Sequence, residues 1–142
     1  MMKNNLIEIS LASFADRDQI YQIRHEVYAK ELKQHSENAE KLCRDKLDDF
    51  NVYVTAKIND QIAGFISITP PDKNNYSIDK YFKREQLPFM VDEGLFEIRI
   101  FTILKAYRGT SIALALVWAA FRWIQSNGGT SIMAIGRSEV LD

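Results

Sequence analysis

FEIRIFTILKAYRGTSIALALVWAAFRWIQSNGG, Phe96 to Gly129, is the stretch whose reading decides the fold. Phe96, Ile98, Ile100 and Thr102 alternate with Glu97, Arg99, Phe101 and Ile103, the two-residue period of a pleated strand. Tyr107-Arg108-Gly109 predicts a tight turn. From Thr110 onward, Ile112, Leu114, Leu116, Val117, Trp118, Ala120, Phe121 and Ile124 leave almost no polar face, which predicts a helix buried on most sides. Asn127-Gly128-Gly129 stops it.

A strand that runs through a small-residue turn into a helix directs several backbone N–H groups, and the positive end of the helix dipole, at one point. That arrangement binds anions. Gly109, Ser111 and Ala113 keep side chains short where a phosphate would approach the backbone. The charge at a helix end is about half a unit, contributing roughly 0.3–1 kcal/mol per interaction, so affinity has to come from several N–H bonds together.

Outside this unit, composition narrows the choices. At 142 residues, the sequence reads as one domain over residues 1–142, long enough to bury a core without disulfides or metals. Lys and Arg number 18 against 19 Asp and Glu, so there is no basic field, and nucleic acid and anionic membrane are not expected partners. Cys43 is the only cysteine, which excludes an intramolecular disulfide or a cysteine-rich metal site and suits a reducing compartment. No signal peptide or spanning segment is visible, since the apolar run Ile112–Ile124 is too short for a bilayer and carries Arg122. A cytoplasmic location is the expectation, with no bound metal.

Taken in order, Leu6–Leu11 alternates as a first strand with one wet face. A helix follows, with Asp16 and Gln19 as a capping box and Ile20, Ile23, Val27 and Leu32 on one side. A second helical stretch is expected from Ser36 to Leu47. Val52–Ile58 and Ile62–Ile68 alternate about Asn59-Asp60, a hairpin ended by Pro70-Pro71. Tyr76–Gly94 is irregular, with one short helix around Ser77–Phe82; loops of this length often cover a site. Thr130–Ile135 reads as a last strand, and Ser138 as a helix cap. The sum is an α/β fold with antiparallel strands early, a parallel crossover late and flanking helices.

The run from Ile103 to Ala113, ILKAYRGTSIA, resembles the acyl-coenzyme A signature of the GNAT acyltransferase superfamily, Arg/Gln-x-x-Gly-x-Gly/Ala between a strand and a helix. Arg108 and Ala113 fit it; Ser111 stands where the family usually has glycine. The element order matches the first part of a GNAT fold. The resemblance implies a donor that is acyl-CoA (acetyl-CoA) or acyl carrier protein, with Thr102, Ile103, Leu104, Arg108, Gly109, Thr110, Ser111, Ile112 and Ala113 holding it. It also implies a gap between the two late strands for the pantetheine arm. A complete domain of that family continues beyond the last strand seen here, so a homo-oligomer or a larger parent polypeptide is expected.

A narrower resemblance is to the autoinducer-synthase branch, which joins an acyl group to the amine of S-adenosylmethionine. Ile23-Arg24-His25-Glu26-Val27-Tyr28 resembles its helix motif, Asp45 and Asp48 its paired aspartates, and Glu97-Ile98-Arg99 its strand motif. The chain departs from the branch at Ser67-Ile68, where an arginine is usual, and at Gln34-His35, where a tryptophan is usual.

Acyl transfer from a thioester to an amine needs a carbonyl held by N–H donors, an amine without its proton, and a proton for the leaving thiolate. Glu97 is the candidate base, on one strand face with Arg99 at roughly 7 Å; the two residues equally suit an ordinary charge pair. Backbone N–H groups around Thr102–Leu104 are implied to hold the carbonyl. Arg24, Tyr28, Asp45, Asp48 and Arg99 are the candidates for a small-molecule amine acceptor, since an amine calls for carboxylates and a carboxylate for arginine. A solvated surface is the alternative for the charged ones. His25 and His35 have no metal spacing or nucleophile partner, Cys43 reads as a small apolar residue, and Trp118 and Trp123 read as core. Two functions follow: an N-acyltransferase, or a non-catalytic domain that binds an acyl thioester or serves assembly.

Overall fold

In the computed structural model, residues 6–27 and 46–135 are described, and the statements below concern those residues. Alternating apolar residues build five strands: β1 (Ile7–Leu11), β2 (Val52–Ile58), β3 (Gln61–Thr69), β4 (Leu95–Ile103) and β5 (Ser131–Ala134). They form one sheet in the order β1-β2-β3-β4-β5. The first four are antiparallel neighbours, and β5 joins β4 in parallel. Helix α1 (Phe14–Arg24) follows β1, and α2 (Ile112–Ser126) makes the crossover from β4 to β5. The expected mixed α/β sheet is therefore present. No helix among the described residues is long and apolar enough to cross a membrane.

The hairpin forms as its turn chemistry requires. Asn59 and Asp60 both take positive φ, 53° and 63°, the two-residue turn whose twist matches flanking strands. Beyond β3, the chain passes through three short 3₁₀ turns, of which Ser77–Lys80 falls within the expected helical piece. The predicted helix Ser36–Leu47 lies largely outside the described residues; its described end is a 3₁₀ turn, Lys46–Asp49. Leu32, Gln34, His35, Cys43 and Ser138 also lie outside them.

Three expectations are corrected. The first helix is capped by Ser13, whose hydroxyl accepts from Asp16 N at 3.1 Å while the Asp16 carboxylate accepts from Ser13 N at 2.9 Å. Asp16 is thus the third residue of the helix rather than its cap, and Phe14, 91% exposed, gave no periodic signal of the earlier start.

Helix α2 is buried on one side only. Ile112, Leu116, Ala120 and Ile124 enter the main core with Val54, Ala56, Ile66, Ile68 and Phe96, whereas Leu114 (75% exposed), Trp118 (67%) and Phe121 face outward. Trp118 is therefore not a core residue, and Arg122 lies over its ring. Trp123 does pack as expected, edge-on to Phe96 at 6.0 Å. Apolar content alone does not distinguish a surrounded helix from a one-sided one when its outer face is also apolar.

The strict alternation of β4 is broken by a bulge. Ile66 opposes Phe101 and Ile68 opposes Ile98, so three steps of β4 match two of β3 and one residue is extra near Arg99-Ile100. Before the bulge, Phe96 and Ile98 face α2; after it, Ile103 does, while Ile100 packs on the opposite face with Phe65, Tyr53 and Ile20. The predicted pairing of Ile100 and Thr102 with Phe96 and Ile98 on one face thus fails.

Candidate active site

Helix α2 ends where Asn127-Gly128-Gly129 was expected to stop it. Gly128 takes φ +87°, and Gly129 N donates to Ile124 O at 2.8 Å. At the other end, the path from β4 into α2 is short and tied to itself. Tyr107 N donates to Leu104 O at 2.8 Å, Arg108 Nε donates to Ile103 O at 2.9 Å, and Thr110 Oγ1 donates to Tyr107 O at 2.6 Å. Gly109 sits at φ +82°, where a side chain strains the backbone, although a Cβ there would meet nothing within 4 Å.

Ser111 caps the helix without a side-chain hydrogen bond, and Ala115 N opens the helical ladder by donating to Ser111 O at 3.1 Å. The N–H groups of Ser111, Ile112, Ala113 and Leu114 precede that bond and have no acceptor within the helix. Gly109, Thr110 and Ser111 are exposed, Ala113 is half-buried, and the Ile112 side chain belongs to the core, leaving its backbone as the part that could meet a ligand.

Next to this turn, β4 and β5 pair from Leu95/Ser131 to Ile98/Ala134, and β4 continues through Arg99–Ile103 beyond the last described pair. Leu104 N is committed to Ala63 O at 2.9 Å, so it points at β3 and not at the gap expected between β4 and β5. In an antiparallel ladder, alternate N–H groups face opposite edges. Of the three residues implied to hold the carbonyl, Ile103 is the one whose N–H faces the β5 side.

On the sheet face that carries α1, the structure gathers Arg24, Asp48 and Arg99 from three distant parts of the sequence. Arg24 donates to both Asp48 carboxylate oxygens at 2.9 Å, and Arg99 to one of them at 3.2 Å. The Tyr53 hydroxyl donates to Asp48 and accepts from Arg24 at 2.9 Å. Asn51 completes the group: its Oδ1 accepts from Arg99 Nε at 2.7 Å and Ser67 Oγ at 2.9 Å, and its Nδ2 donates to Thr69 Oγ1 at 2.8 Å and Leu47 O at 3.1 Å.

All of these side chains are buried or nearly so. Burial pushes the Tyr53 hydroxyl well above its usual range; Arg24 works against that rise and Asp48 adds to it. A solvated surface is thereby excluded for Arg24, Asp48 and Arg99. Tyr28 and Asp45 lie outside the described residues.

Glu97 is 0% exposed and does not pair with Arg99. Its Oε1 accepts from Ser77 N at 2.8 Å, and its Oε2 from Ser77 Oγ at 2.8 Å and Ile78 N at 3.1 Å. The carboxylate thus pins the loop after β3 onto β4, one residue before the β4–β5 pairing ends. Tyr76 reinforces the joint by donating its hydroxyl to Leu95 O at 2.8 Å.

Sequence reasoning missed Tyr53, Asn51 and Ser77. Tyr53 and Ser67 share one sheet face by strand parity, a legible signal; Asn51 and Ser77 sit in turns and carry none.

The sequence model of the acetyltransferase (GNAT) family matches residues 17–139. No curated protein sequence matches significantly. Among solved structures, a CoA-dependent acyl-homoserine lactone synthase, BjaI, with SAM and isopentyl-CoA superposes with a TM-score of 0.82 at 18% identity, over 95% of this chain and 69% of that one. The acyl-homoserine lactone synthase LasI gives 0.78 at 15% identity, over 97% and 76%. The aminoglycoside N-acetyltransferase AAC(6')-Iy, in complex with CoA, gives 0.67 at 11% identity, over 99% and 84%. At such identities the likeness is one of fold.

Proposed function

The chain belongs to the acetyltransferase (GNAT) family, and on that premise we propose that it is an N-acyltransferase, moving an acyl group from acyl-CoA or acyl carrier protein to a small-molecule amine. The observation that carries this reading is the β4–α2 unit: a strand whose described pairing with β5 stops at Ile98, followed by a short turn that presents the first N–H groups of a core-anchored helix, of which Ile112 N reaches Thr110 Oγ1 at 3.4 Å. The thioester lies along the end of β4, its pyrophosphate against Arg108–Ala113 and its carbonyl toward Ile103 N. Thr102 and Leu104 shape that wall rather than donate to the carbonyl.

The acceptor occupies the opposite sheet face, where Arg24, Asp48 and Arg99 form a charged floor, with Tyr28 and Asp45 as further candidates. Because Arg24 and Asp48 are already bonded to each other, they orient Arg99 and Tyr53 more than they touch the amine. Glu97 takes the amine proton, a role contributing roughly 10²–10⁴ in rate. BjaI, whose structure holds SAM and isopentyl-CoA, supplies the first acceptor and donor to try. No metal is required, and the lone cysteine suits a reducing, cytoplasmic setting.

The test is calorimetric titration with acetyl-CoA and isopentyl-CoA, using the wild type, Gly109→Trp and Ser111→Glu. Ser111→Glu places an acid at a helix N-terminus, which favours the helix while repelling a phosphate. Binding by the wild type that falls at least tenfold in both variants supports the assignment; a wild type that binds neither donor overturns it.

The non-catalytic reading draws on Glu97, fully enclosed and spent on loop bonds, and on Ser111 in place of glycine. Donor binding without transfer to S-adenosylmethionine or to the aminoglycoside sisomicin, which occurs with another acetyltransferase of this fold, would favour it. If Glu97→Gln leaves transfer undiminished, Glu97 is not the base.

A further inference from the structure

The sheet begins at β1, and among the described residues nothing pairs with its outer edge. Ala12 N donates to Tyr53 O at 2.9 Å, continuing the register in which Ser10 opposes Thr55 and Glu8 opposes Lys57. Bonded pairs alternate along an antiparallel ladder, so Ser10 and Glu8 spend their backbone groups on β2, while Ile7, Ile9 and Leu11 each turn an N–H and a C=O outward. The edge is straight, for the register from Ile7/Ile58 to Leu11/Val54 has no bulge. Lysine, proline or a bulge commonly guards such an edge, and Ile-Glu-Ile-Ser-Leu has none of them.

The side chains beside this edge are apolar. Ile9 packs into the cluster beneath α2, and Ile7 (37% exposed) and Leu11 (53%) share its parity and therefore its sheet face. Helix α2 adds a flank of its own. Trp123 packs on Phe96 of β4, and the exposed Leu114 and Phe121 lie about half a turn round the helix from Trp123, on the side turned toward β1.

We propose that this edge docks a second copy of the chain, β1 pairing antiparallel with its counterpart about a two-fold axis at Ile9. Ile9 then meets Ile9 of the second copy, and Ile7 meets Leu11, so every outward N–H and C=O of both edges is bonded. Sliding the pairing by two residues drops Ile7 or Leu11 from the ladder, and sliding it by one sets outward groups against inward ones. The edge is thus its own complement, which favours a second copy over a foreign strand. Charge agrees: Glu8 meets Ser10 rather than a second Glu8, and within its own chain Glu8 already faces Lys57. With Leu6, Ile7, Leu11, Leu114 and Phe121 beside it, the edge offers an area of the order of the roughly 800 Å² per partner that a stable dimer buries. The inference does not rest on the acyltransferase reading, and β5 lies at the opposite edge of the sheet.

The test is sedimentation of the whole chain as wild type, Ile7→Lys, Leu11→Glu, an equal mixture of those two variants, and Trp118→Ser. The wild type is expected at twice its 16.4 kDa mass and each charged variant at the single mass. The mixture is expected to regain the dimer, because the introduced lysine and glutamate then face each other across the two-fold. Trp118→Ser, on the outward side of α2, is expected to pair like the wild type. A wild type that stays monomeric at roughly 100 μM overturns the proposal. So does a dimer that either charged variant retains undiminished, one that Trp118→Ser abolishes, or a mixture that stays monomeric. Hydrogen exchange on the wild type decides the matter if the variants do not fold: the amides of Ile7, Ile9 and Leu11 should exchange at least tenfold more slowly in concentrated than in dilute protein, and equal rates overturn the proposal.

Discussion

Among the described residues, Asp48 carries the heaviest electrostatic duty, since Arg24, Arg99 and Tyr53 all meet on its carboxylate while it is 1% exposed. Asp48→Asn removes the charge that two guanidinium groups share, and should lower stability by about 3–5 kcal/mol, read from urea unfolding. Tyr53→Phe should cost about 1–3 kcal/mol by the same measurement, because it removes both the donor to Asp48 and the acceptor for Arg24. A softer contact lies at Arg84, which holds Asp79 at 2.7 and 3.0 Å and Asn74 at 2.8 and 2.9 Å. Its hydrogen bonds keep the Asp79 carboxyl below the usual carboxylate range, against the opposing effect of burial. A depressed folded value contributes stability above the unfolded value, near about 4, that is lost as pH falls through the folded one. The gap in urea midpoint between the wild type and Arg84→Ala should therefore close as the pH is lowered from neutral to below that window; a gap independent of pH would show that the pair does not stabilise the fold. At this scale the sequence offered charges but not their partners. Arg24, Asp48 and Arg99 are legible as candidates, yet their meeting depends on chain separations that no local pattern encodes.

Elements were more legible, because periodicity is a local property. The hairpin about Asn59-Asp60 needs only alternation and two residues tolerant of positive φ. Replacing Asp60 by Gly, which reaches φ 63° without a Cβ penalty, should raise stability by up to about 1 kcal/mol in thermal or urea unfolding. The bulge in β4 is hidden in the sequence because Ile100 and Phe101, adjacent residues at the slip, are both apolar, so the change of parity leaves no mark on the hydrophobic pattern. Helix α2 misled for a related reason, its outer face being as apolar as its inner one. The two faces are separated by substitution. Leu116→Ala, at 0% exposure, should cost about 2–5 kcal/mol, whereas Trp118→Ala should stay within about 0.5 kcal/mol. Equal losses at the two positions would mean that the outer face is also covered.

For the molecule as a whole, the proposed donor turn and the main core share one helix, so on the acyltransferase reading binding is coupled to global stability. The residues of α2 that enter the core, Ile112, Leu116, Ala120 and Ile124, touch β2, β3 and β4 through the same cluster, so whatever holds the first turn of α2 resists unfolding of the sheet. The proposed acceptor face is joined to the same sheet through Tyr53, Ser67, Thr69 and Arg99, so on the acyltransferase reading β3 and β4 are the common wall of both halves of the reaction. The β4–α2 unit was readable because it lies in one continuous stretch, and the cluster of Arg24, Asp48 and Arg99 was not, because separated segments build it. If the acyl-CoA reading holds, isopentyl-CoA at a hundredfold excess over its Kd should stabilise the chain by about 2.7 kcal/mol, raising the thermal midpoint by several degrees in a single transition. Ser111→Glu should leave the ligand-free midpoint nearly unchanged and remove the shift. A shift retained in that variant would mean that the donor sits elsewhere on the sheet, and a biphasic transition would mean that α2 unfolds apart from the strands it covers.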